Sequence, residues 1–587
     1  MSAISIPVAK PVHPWRRVLV LGILGLGACT LLGRAFQLQV LEREFLAKEG
    51  NKRHIRTLTI PAHRGAITDR RGEPLALSAP VEALWAVPSA LLASPQHVYA
   101  LARLLERKPR DFEKFLRERT DKKFVYISDP LAPAEAKRIL SLKAPGVFSE
   151  PSYARYYPAG EVAGQAVGFC GRDGDGLAGI EKAQEAVLGG HQGSRRVIRD
   201  RQGRVVEDGL EFVEAQSGKD VRLTLDLRIQ YLAYRELKSA VEANRAKGGL
   251  IVVADSDSGE ILAIASQPGF NPNNPADRAS AGTRNRVITD SFEPGSTVKA
   301  LLIAQALEMG AYQPDSHVDT TPGTMKVGAL TVRDVHPQGD IDLAHILSKS
   351  SNVGAAKIGL SLGAEAVWSG YQKFGLGEPV YSGFPGEVSP VLRNFSEWGQ
   401  VATATASYGY GLSLNALHLV RAYSALANDG LMPQLRLVDG GTRVPPQRAI
   451  SPGTARAVRH LLEAVVSPDG TGLRAAIPGY RVAGKSGTVR KVSDGGGYAD
   501  DRHQAVFIGM VPAEHPRLVG LVMIDEPGAD AYYGGLVAAP VFSRVMQGAA
   551  RLLQIKPDDC PVQFPGCNPQ APRLQTVALP PVQVPPT

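Results

Sequence analysis

The spacing of apolar positions along this chain changes period several times, and each change marks an element. Residues 18–33 form an uncharged run behind Lys10, Arg16 and Arg17. With Arg34 snorkelling and Ala35, Phe36, Gln37 and Leu38 added, the run reaches about twenty residues, enough for a helix to cross a bilayer. Phe36, Leu38, Val40, Leu41 and Phe45 keep a helical face beyond it. Residues 221–225 predict a strand and 228–244 a helix, followed by a hairpin of 249–255 and 259–265 around an Asp/Ser/Gly turn. After the turn signal Phe292-Glu293-Pro294-Gly295, residues 297–309 are rich in Ala, Leu and Ile with no breaker before Gly310, which predicts a helix. Residues 341–347 and the stretch from Val353 predict two more helices with a polar tip between them. The β-prone residues 480–483 predict a strand continuing through Lys485 to Thr488, with later strands in 505–524. Strands at both ends and helices in the middle predict an α+β domain, a sheet with a helical lobe. Residues 561–587 are Pro-rich and aperiodic, which predicts a disordered tail.

A chain of 587 residues has room for two or three domains. The basic flank before residue 18 predicts that the first residues stay in the cytoplasm and the rest lies outside. Leu26-Gly27-Ala28-Cys29 also fits a lipoprotein cleavage box, but the apolar face continues past Cys29, and this favours an uncleaved anchor. Four cysteines are too few and too scattered for a disulfide framework or a zinc cluster. Cys560 and Cys567 are the one plausible pair, with two free thiols as the equal alternative. The net charge of +9 is spread without a dense run, so it suits anionic lipid and polymer surfaces as well as nucleic acid.

Three short strings carry the candidate chemistry: Ser296-Thr297-Val298-Lys299, Ser350-Ser351-Asn352 and Lys485-Ser486-Gly487-Thr488. Ser296 falls at a helix N-terminus, with Lys299 on the same face of the first turn. That suits a nucleophile beside an amine base, where unpaired N–H groups stabilise developing negative charge. Taken alone, the same residues describe a Ser cap and a solvated Lys. Ser350 can relay a proton, and the Asn352 amide offers a donor and an acceptor to a peptide bond; alone, this string is an ordinary polar turn. Lys485 supplies positive charge, the Ser486 and Thr488 hydroxyls suit a carboxylate, and Gly487 clears space for a ligand backbone.

Gly479-Tyr480-Arg481-Val482-Ala483-Gly484-Lys485-Ser486 also satisfies a phosphate-loop pattern. Such a loop must follow a strand and open a helix. Here Pro478 precedes, and Gly487-Thr488-Val489 and a Gly-rich loop follow without helical period. No H-E-x-x-H, G-x-S-x-G or E-x-x-L-N string is present.

Together the three strings resemble the active site of penicillin-binding proteins and serine β-lactamases, whose motif set has this composition and order. Arg64-Gly65-Ala66-Ile67-Thr68-Asp69-Arg70-Arg71-Gly72-Glu73-Pro74-Leu75-Ala76, Arg155-Tyr156-Tyr157-Pro158 and Gly179-Ile180-Glu181-Lys182 are similar to signatures of the class B proteins' non-catalytic module. By their chemistry alone they are turns with paired charges. Phe292-Glu293-Pro294, Tyr532-Tyr533-Gly534-Gly535 and Ala538-Ala539-Pro540-Val541-Phe542 favour the division-specific FtsI type; Ala300 and Ser486 depart mildly from its pattern.

The resemblance implies a cytoplasmic tail (1–17), a transmembrane signal anchor (18–40), an elongated dimerisation-type pedestal (41–215), a transpeptidase domain (216–557) and a Pro-rich tail (558–587). It implies a peptidoglycan D,D-transpeptidase of septal wall synthesis, inhibited by β-lactams, in the cell inner membrane with its catalytic domain in the periplasm. Ser296 would be the nucleophile, Lys299 its base and Ser350 a proton relay. Asn352, Lys485, Ser486, Gly487 and Thr488 would bind the D-Ala-D-Ala stem peptide, with the Ser296 and Thr488 backbone N–H groups as oxyanion hole. Tyr408, Tyr410, Arg490, Tyr532 and Tyr533 would line the pocket. No cofactor, metal or nucleic acid is expected; an FtsW-type glycan polymerase and other division proteins are the expected partners. The alternatives are a D,D-carboxypeptidase or β-lactamase-type hydrolase using water as acceptor, and a catalytically idle division scaffold.

Overall fold

A computed structural model describes residues 14–45, 55–171, 173–199, 205–440, 444–492, 497–528 and 531–558. The Cys560–Cys567 pair and the tail from residue 559 lie outside them, as do residues 1–13. The chain divides into two compact units, residues 1–62 with 191–216 and residues 63–190 with 217–587.

In the first unit the apolar run forms a helix, Pro14–Phe36, which widens into a π turn at Gln37–Leu41. Among the described residues it is the one helix long and apolar enough to cross a membrane. Leu19, Leu21, Ile23, Leu24 and Leu31 are all exposed on it. The helix runs through Cys29 without a break. A separate three-stranded antiparallel sheet joins Ile55–Ile60, Gly193–Arg199 and Val205–Val213 in this unit.

The second unit begins with the non-catalytic module. Its long strands Pro74–Ala86 and Val147–Tyr156 pair antiparallel from Leu77–Tyr156 to Ala86–Val147. The predicted strand at 221–225 is shorter, Val221–Arg222, and it pairs in parallel with Ile67–Thr68 of this module instead of joining the large sheet. The three charged signatures converge on one buried cluster. The Arg64 guanidinium donates to Glu181 at 2.6 Å and Glu185 at 2.8 Å, and Arg155 donates to Glu181 at 2.7 Å. Glu181 is wholly buried, so its charge is tolerated only because two arginines face it.

The catalytic module follows. Helix α1, Leu227–Ala243, starts where the Asp226 side chain accepts from Arg228 N–H. Strands β1 (Gly248–Asp255) and β2 (Ile261–Gln267) form the expected hairpin. Helices α2 (Lys299–Glu308), α3 (Leu343–Ser348), α4 (Asn352–Leu362) and α5 (Ala416–Ala427) build the lobe. Strands β3 (Ala483–Val492), β4 (Tyr498–Val511) and β5 (Leu518–Asp525) and helix α6 (Ala539–Leu552) complete it. The five-stranded antiparallel sheet has the order β2-β1-β5-β4-β3, which leaves β3 at an edge.

Strand alternation sorts the two layers. In β1, Leu250, Val252 and Ala254 face the helical lobe with α2 and α5, whereas Ile251 and Val253 face the other layer with α1 and α6. Apolar residues on both faces explain why β1 has no polar alternation; helices cover both sides. The Lys485-Ser486 pair lies within β3 and opens no helix, so the phosphate-loop pattern is a coincidence of letters.

Candidate active site

Ser296 lies in a 3-10 turn, Gly295–Val298, that leads directly into α2. The turn is pinned from several sides. Gly295 N–H donates to the Gly409 carbonyl at 3.1 Å, and the buried Tyr423 hydroxyl donates to the Thr297 carbonyl at 2.7 Å. Gly295 sits at φ +54°, in the left-handed region where glycine is favoured. Across the turn runs β3, whose Gly487 makes the approach possible: a Cβ there would come within 3.1 Å of Thr297 Cγ2. One edge strand, paired in register through Lys485–Ile508, Ser486–Phe507 and Thr488–Ala505, thus presents the third string beside the first.

The second string caps one helix and starts another. Ser350 N–H donates to the Leu347 carbonyl and Ser351 N–H to the Ile346 carbonyl, which closes α3 in a Schellman arrangement. The left-handed position of that arrangement, usually glycine, is Ser350 at φ +59°. A strained serine at this place is informative, because both its carbonyl and its hydroxyl point at Lys299.

Lys299 is completely buried and is the hub of the site. Its Nζ lies 2.6 Å from the Ser350 carbonyl oxygen, 2.8 Å from Asn352 Oδ1 and 3.2 Å from Ser350 Oγ. Burial first, and then the charge of Lys485, push its ammonium well below the ordinary lysine range, while Asp334 acts in the opposite direction. Nζ donates to all three: the Ser350 carbonyl, Asn352 Oδ1 and Ser350 Oγ. The expected hydrogen bond between Ser296 and Lys299 is not formed; among the described residues the half-buried Ser296 hydroxyl has no hydrogen-bond partner. Catalytic contacts of this kind commonly tighten only when substrate arrives.

Several polar groups around Lys299 and along β3 keep spare hydrogen-bonding capacity. Asn352 uses Oδ1 for Lys299 and one N–H for the Arg333 carbonyl at 3.1 Å, so one amide N–H remains for a ligand carbonyl. Lys485 is wholly buried, and burial lowers its ammonium to about 7. Among the described residues its Nζ donates only to the Ser486 carbonyl, at 3.1 Å. The Ser486 hydroxyl donates to Thr471 Oγ1 at 2.8 Å, and Thr488 Oγ1 accepts from Gly534 N–H at 3.1 Å, which leaves its own hydrogen free. Tyr410 packs edge-on against Tyr408 and Tyr498; Tyr532 stacks on His503 and Tyr533; Arg490 pairs with Asp500 at 3.0 Å.

Two contributors are absent from the three strings. Thr471 ties the third string to the end of α3, since its N–H donates to the Ser348 carbonyl while its hydroxyl accepts from Ser486. Asp334 follows the hairpin Thr324–Val327/Leu330–Arg333 and accepts from Ser351 Oγ, Asn352 N–H and Val353 N–H at 2.7, 2.6 and 2.9 Å. No local pattern in the sequence ties either residue to its partners. No cluster of His, Cys, Asp and Glu suited to a metal occurs among the described residues.

Residues 249–547 match the penicillin binding protein transpeptidase domain family, and residues 59–223 match the penicillin-binding protein dimerisation domain family. The probable peptidoglycan D,D-transpeptidase PenA of Neisseria gonorrhoeae is 42% identical over 534 residues, covering 90% of this chain and 91% of the relative. The peptidoglycan D,D-transpeptidase FtsI of Escherichia coli K12 is 38% identical over 549 residues, covering 93% of each. Among solved structures, penicillin binding protein 3 of Mycobacterium tuberculosis complexed with aztreonam aligns with a TM-score of 0.67 at 28% identity, over 85% of this chain and 98% of that one.

Proposed function

The chain belongs to the class B penicillin-binding proteins, in the group of FtsI and PenA, and from that premise we propose that it is a peptidoglycan D,D-transpeptidase working through an ester on Ser296. The observation that carries the assignment of roles is the convergence of the second and third strings on Lys299, an unusually buried lysine one turn from the nucleophile.

Ser296 Oγ attacks the carbonyl carbon of the penultimate D-Ala of a stem peptide, and its proton passes to the neutral Lys299 amine. The oxyanion that forms is held by the Ser296 and Thr488 backbone N–H groups. The C–N bond to the terminal D-Ala breaks as its nitrogen takes the proton through Ser350. Lys485, in its charged form, and the Thr488 hydroxyl hold the terminal carboxylate, joined by the Ser486 hydroxyl as it turns away from Thr471 Oγ1, and Asn352 holds the donor peptide. β3 is an unpaired edge, so an extended peptide can add to it as a further strand, with Gly487 leaving room for its backbone. An amine from a neighbouring stem then attacks the ester carbonyl; the amide forms, the C–Oγ bond breaks and Ser296 regains its proton. A β-lactam, which carries the same carboxylate and a strained amide, stops at the ester.

The domain boundaries proposed are a tail to residue 17, an anchor over 18–40, the dimerisation-type module over 41–215 and the transpeptidase domain over 216–557. The anchor lies in the inner membrane with the catalytic module in the periplasm, as the basic residues before the span require. The two matched domains act on stem peptides and in dimerisation, so nascent glycan must be brought to them, and the proposed partner is an FtsW-type polymerase at the septum.

The test is turnover of a stem peptide ending in D-Ala-D-Ala, with and without an added acceptor amine. Release of D-Ala with cross-linked product is expected. Release with hydrolysis alone, unchanged by acceptor, would make the chain a carboxypeptidase, and no release at all would favour the scaffold.

A further inference from the structure

Arg286 opens a one-turn helix, Arg286–Thr289, from which the chain runs through Phe292 into the Ser296 turn. Its guanidinium lies over β1 at Gly248, where any side chain would collide with Nη1, and Nη2 donates to Asp525 Oδ2 at 2.7 Å. On its other oxygen Asp525 accepts from Lys491 Nζ at 3.0 Å and from Gln504 Nε2 at 3.3 Å. Gln504 and Asp525 are cross-strand partners on the sheet face that the helical lobe covers. Lys491 stands where β3 shifts register against β4, and a bulge of this kind re-aims a side chain. Asp525 is 1% exposed, and it takes no part in the acyl transfer described above. We propose that Asp525 is a positioning residue for acylation: it fastens the far end of the edge strand β3 to the segment that enters the nucleophile turn, and so fixes the gap between the Thr488 and Ser296 N–H groups.

That gap needs fixing from outside. β3 has a strand on one side only, and the Gly295–Val298 turn packs on its Gly487 and Val489. Among the described residues no hydrogen bond joins that turn to β3. Packing contacts have no direction, whereas oxyanion donors act only at about 2.7–3.1 Å from the developing charge. Charge-assisted hydrogen bonds on both oxygens of one buried carboxylate supply the missing direction. A second tie, from the Tyr498 hydroxyl to Glu293 at 3.1 Å, lies on the exposed side. Stability alone does not account for Asp525, since replacing a buried ion network with apolar side chains is often neutral or stabilising. Burial pushes its carboxyl up, but Arg286 and Lys491 bring it below the ordinary carboxylate range, so it stays charged at neutral pH. Each cation also has a carboxylate of its own: Arg286 Nε donates to Asp290 at 2.7 Å, and Lys491 Nζ donates to Glu526 at 2.5 Å. Asp525 is therefore the link between two ion pairs, one on each side of the gap.

This rests on the acyl-serine reading above, and the two fail differently: no acylation of the wild-type protein by penicillin sinks that reading, whereas only the variants bear on Asp525. The full chain is compared as wild type, Asp525→Ala, Lys491→Met and the double variant. Stopped-flow acylation by a fluorescent penicillin is measured well below the melting temperature of each. Removing Asp525 leaves Arg286 on Asp290 and Lys491 on Glu526, so neither cation is stranded. Asp525→Ala is expected to lose about 30-fold in the acylation rate constant with the prior binding constant little changed, less than the roughly 100-fold that a displacement of 1 Å can cost. Lys491→Met is expected to lose about tenfold alone but less than about twofold in the Asp525→Ala background, where the strand is already released. A carboxylate that only stabilised the fold would lower the melting temperature and leave the acylation constant of the folded protein unmoved. Asp525→Ala within about threefold of wild type would therefore overturn the proposal, as would additive losses in the double variant. If Asp525→Ala does not fold, Asp525→Asn takes its place, since its amide oxygen serves one cation while its NH2 opposes the other. A loss in acylation of more than about threefold then supports the link, and a smaller one overturns it.

Discussion

At the scale of single residues, the site is a set of groups held in states they would not choose in water. Ser350 occupies a glycine-favoured conformation at the end of α3. Ser350→Gly is therefore expected to raise stability by about 1 kcal/mol in denaturant unfolding, since the strain goes, while acylation falls because the hydroxyl goes with it. Lys299→Ala should lose acylation by about three orders of magnitude or more while melting near the wild-type temperature, because an unactivated serine is a weak nucleophile.

Lys485 adds a pH signature. Burial lowers it to about 7, and only its ammonium attracts the ligand carboxylate, so the second-order acylation constant should decline on the alkaline side with a midpoint near that value. The linkage has the matching sign. The unfolded chain binds more protons than the folded one between about 7 and the ordinary lysine value of 10.5, so this group's contribution makes the fold more stable as pH rises through that window. Lys485→Arg, charged throughout, should abolish the alkaline limb of acylation.

Each string was legible because its residues are consecutive and their letters are chemistry. Asp334 and Thr471 were not legible, because their roles depend on hydrogen bonds to residues 15 or more positions away in sequence.

At the scale of elements, the sequence pattern predicted type better than pairing. The hairpin of β1 and β2, the strand character of Lys485 to Thr488 and the helix after Ser296 all follow from local period and turn residues. The destination of Val221–Arg222 does not, since a short apolar run carries no record of its neighbour, and it pairs with Ile67–Thr68. The position of β3 at a sheet edge, on which strand addition by a peptide depends, is likewise a matter of topology.

The charged signatures of the non-catalytic module show the same division. Their sequence suggests paired charges, and the fold makes them one buried cluster around Glu181. Glu181→Gln leaves two arginines without their shared counter-charge; Arg64 keeps Glu185, whereas the buried Arg155 side chain loses its acidic partner among the described residues. Removing one partner of a buried pair costs roughly 3–5 kcal/mol, so the variant should unfold at clearly lower denaturant. An unchanged midpoint would show that the cluster is not what orders this module.

At the scale of the whole molecule, one apolar helix and a catalytic module of this family define a membrane-anchored enzyme. Orientation and cellular position are proposals argued from charge and need. A fluorescent fusion is expected at midcell in dividing cells, and an even distribution along the side wall would remove the septal assignment without touching the chemistry. The chemistry itself stands on the claim that three separated strings form one acyl-transfer site. The most direct measurement is the intact mass of the protein after incubation with benzylpenicillin, followed by mapping of the modified peptide. A stable adduct of one whole antibiotic on Ser296, absent from Ser296→Ala, is the predicted result; no adduct, or an adduct on another residue that survives in Ser296→Ala, would contradict it.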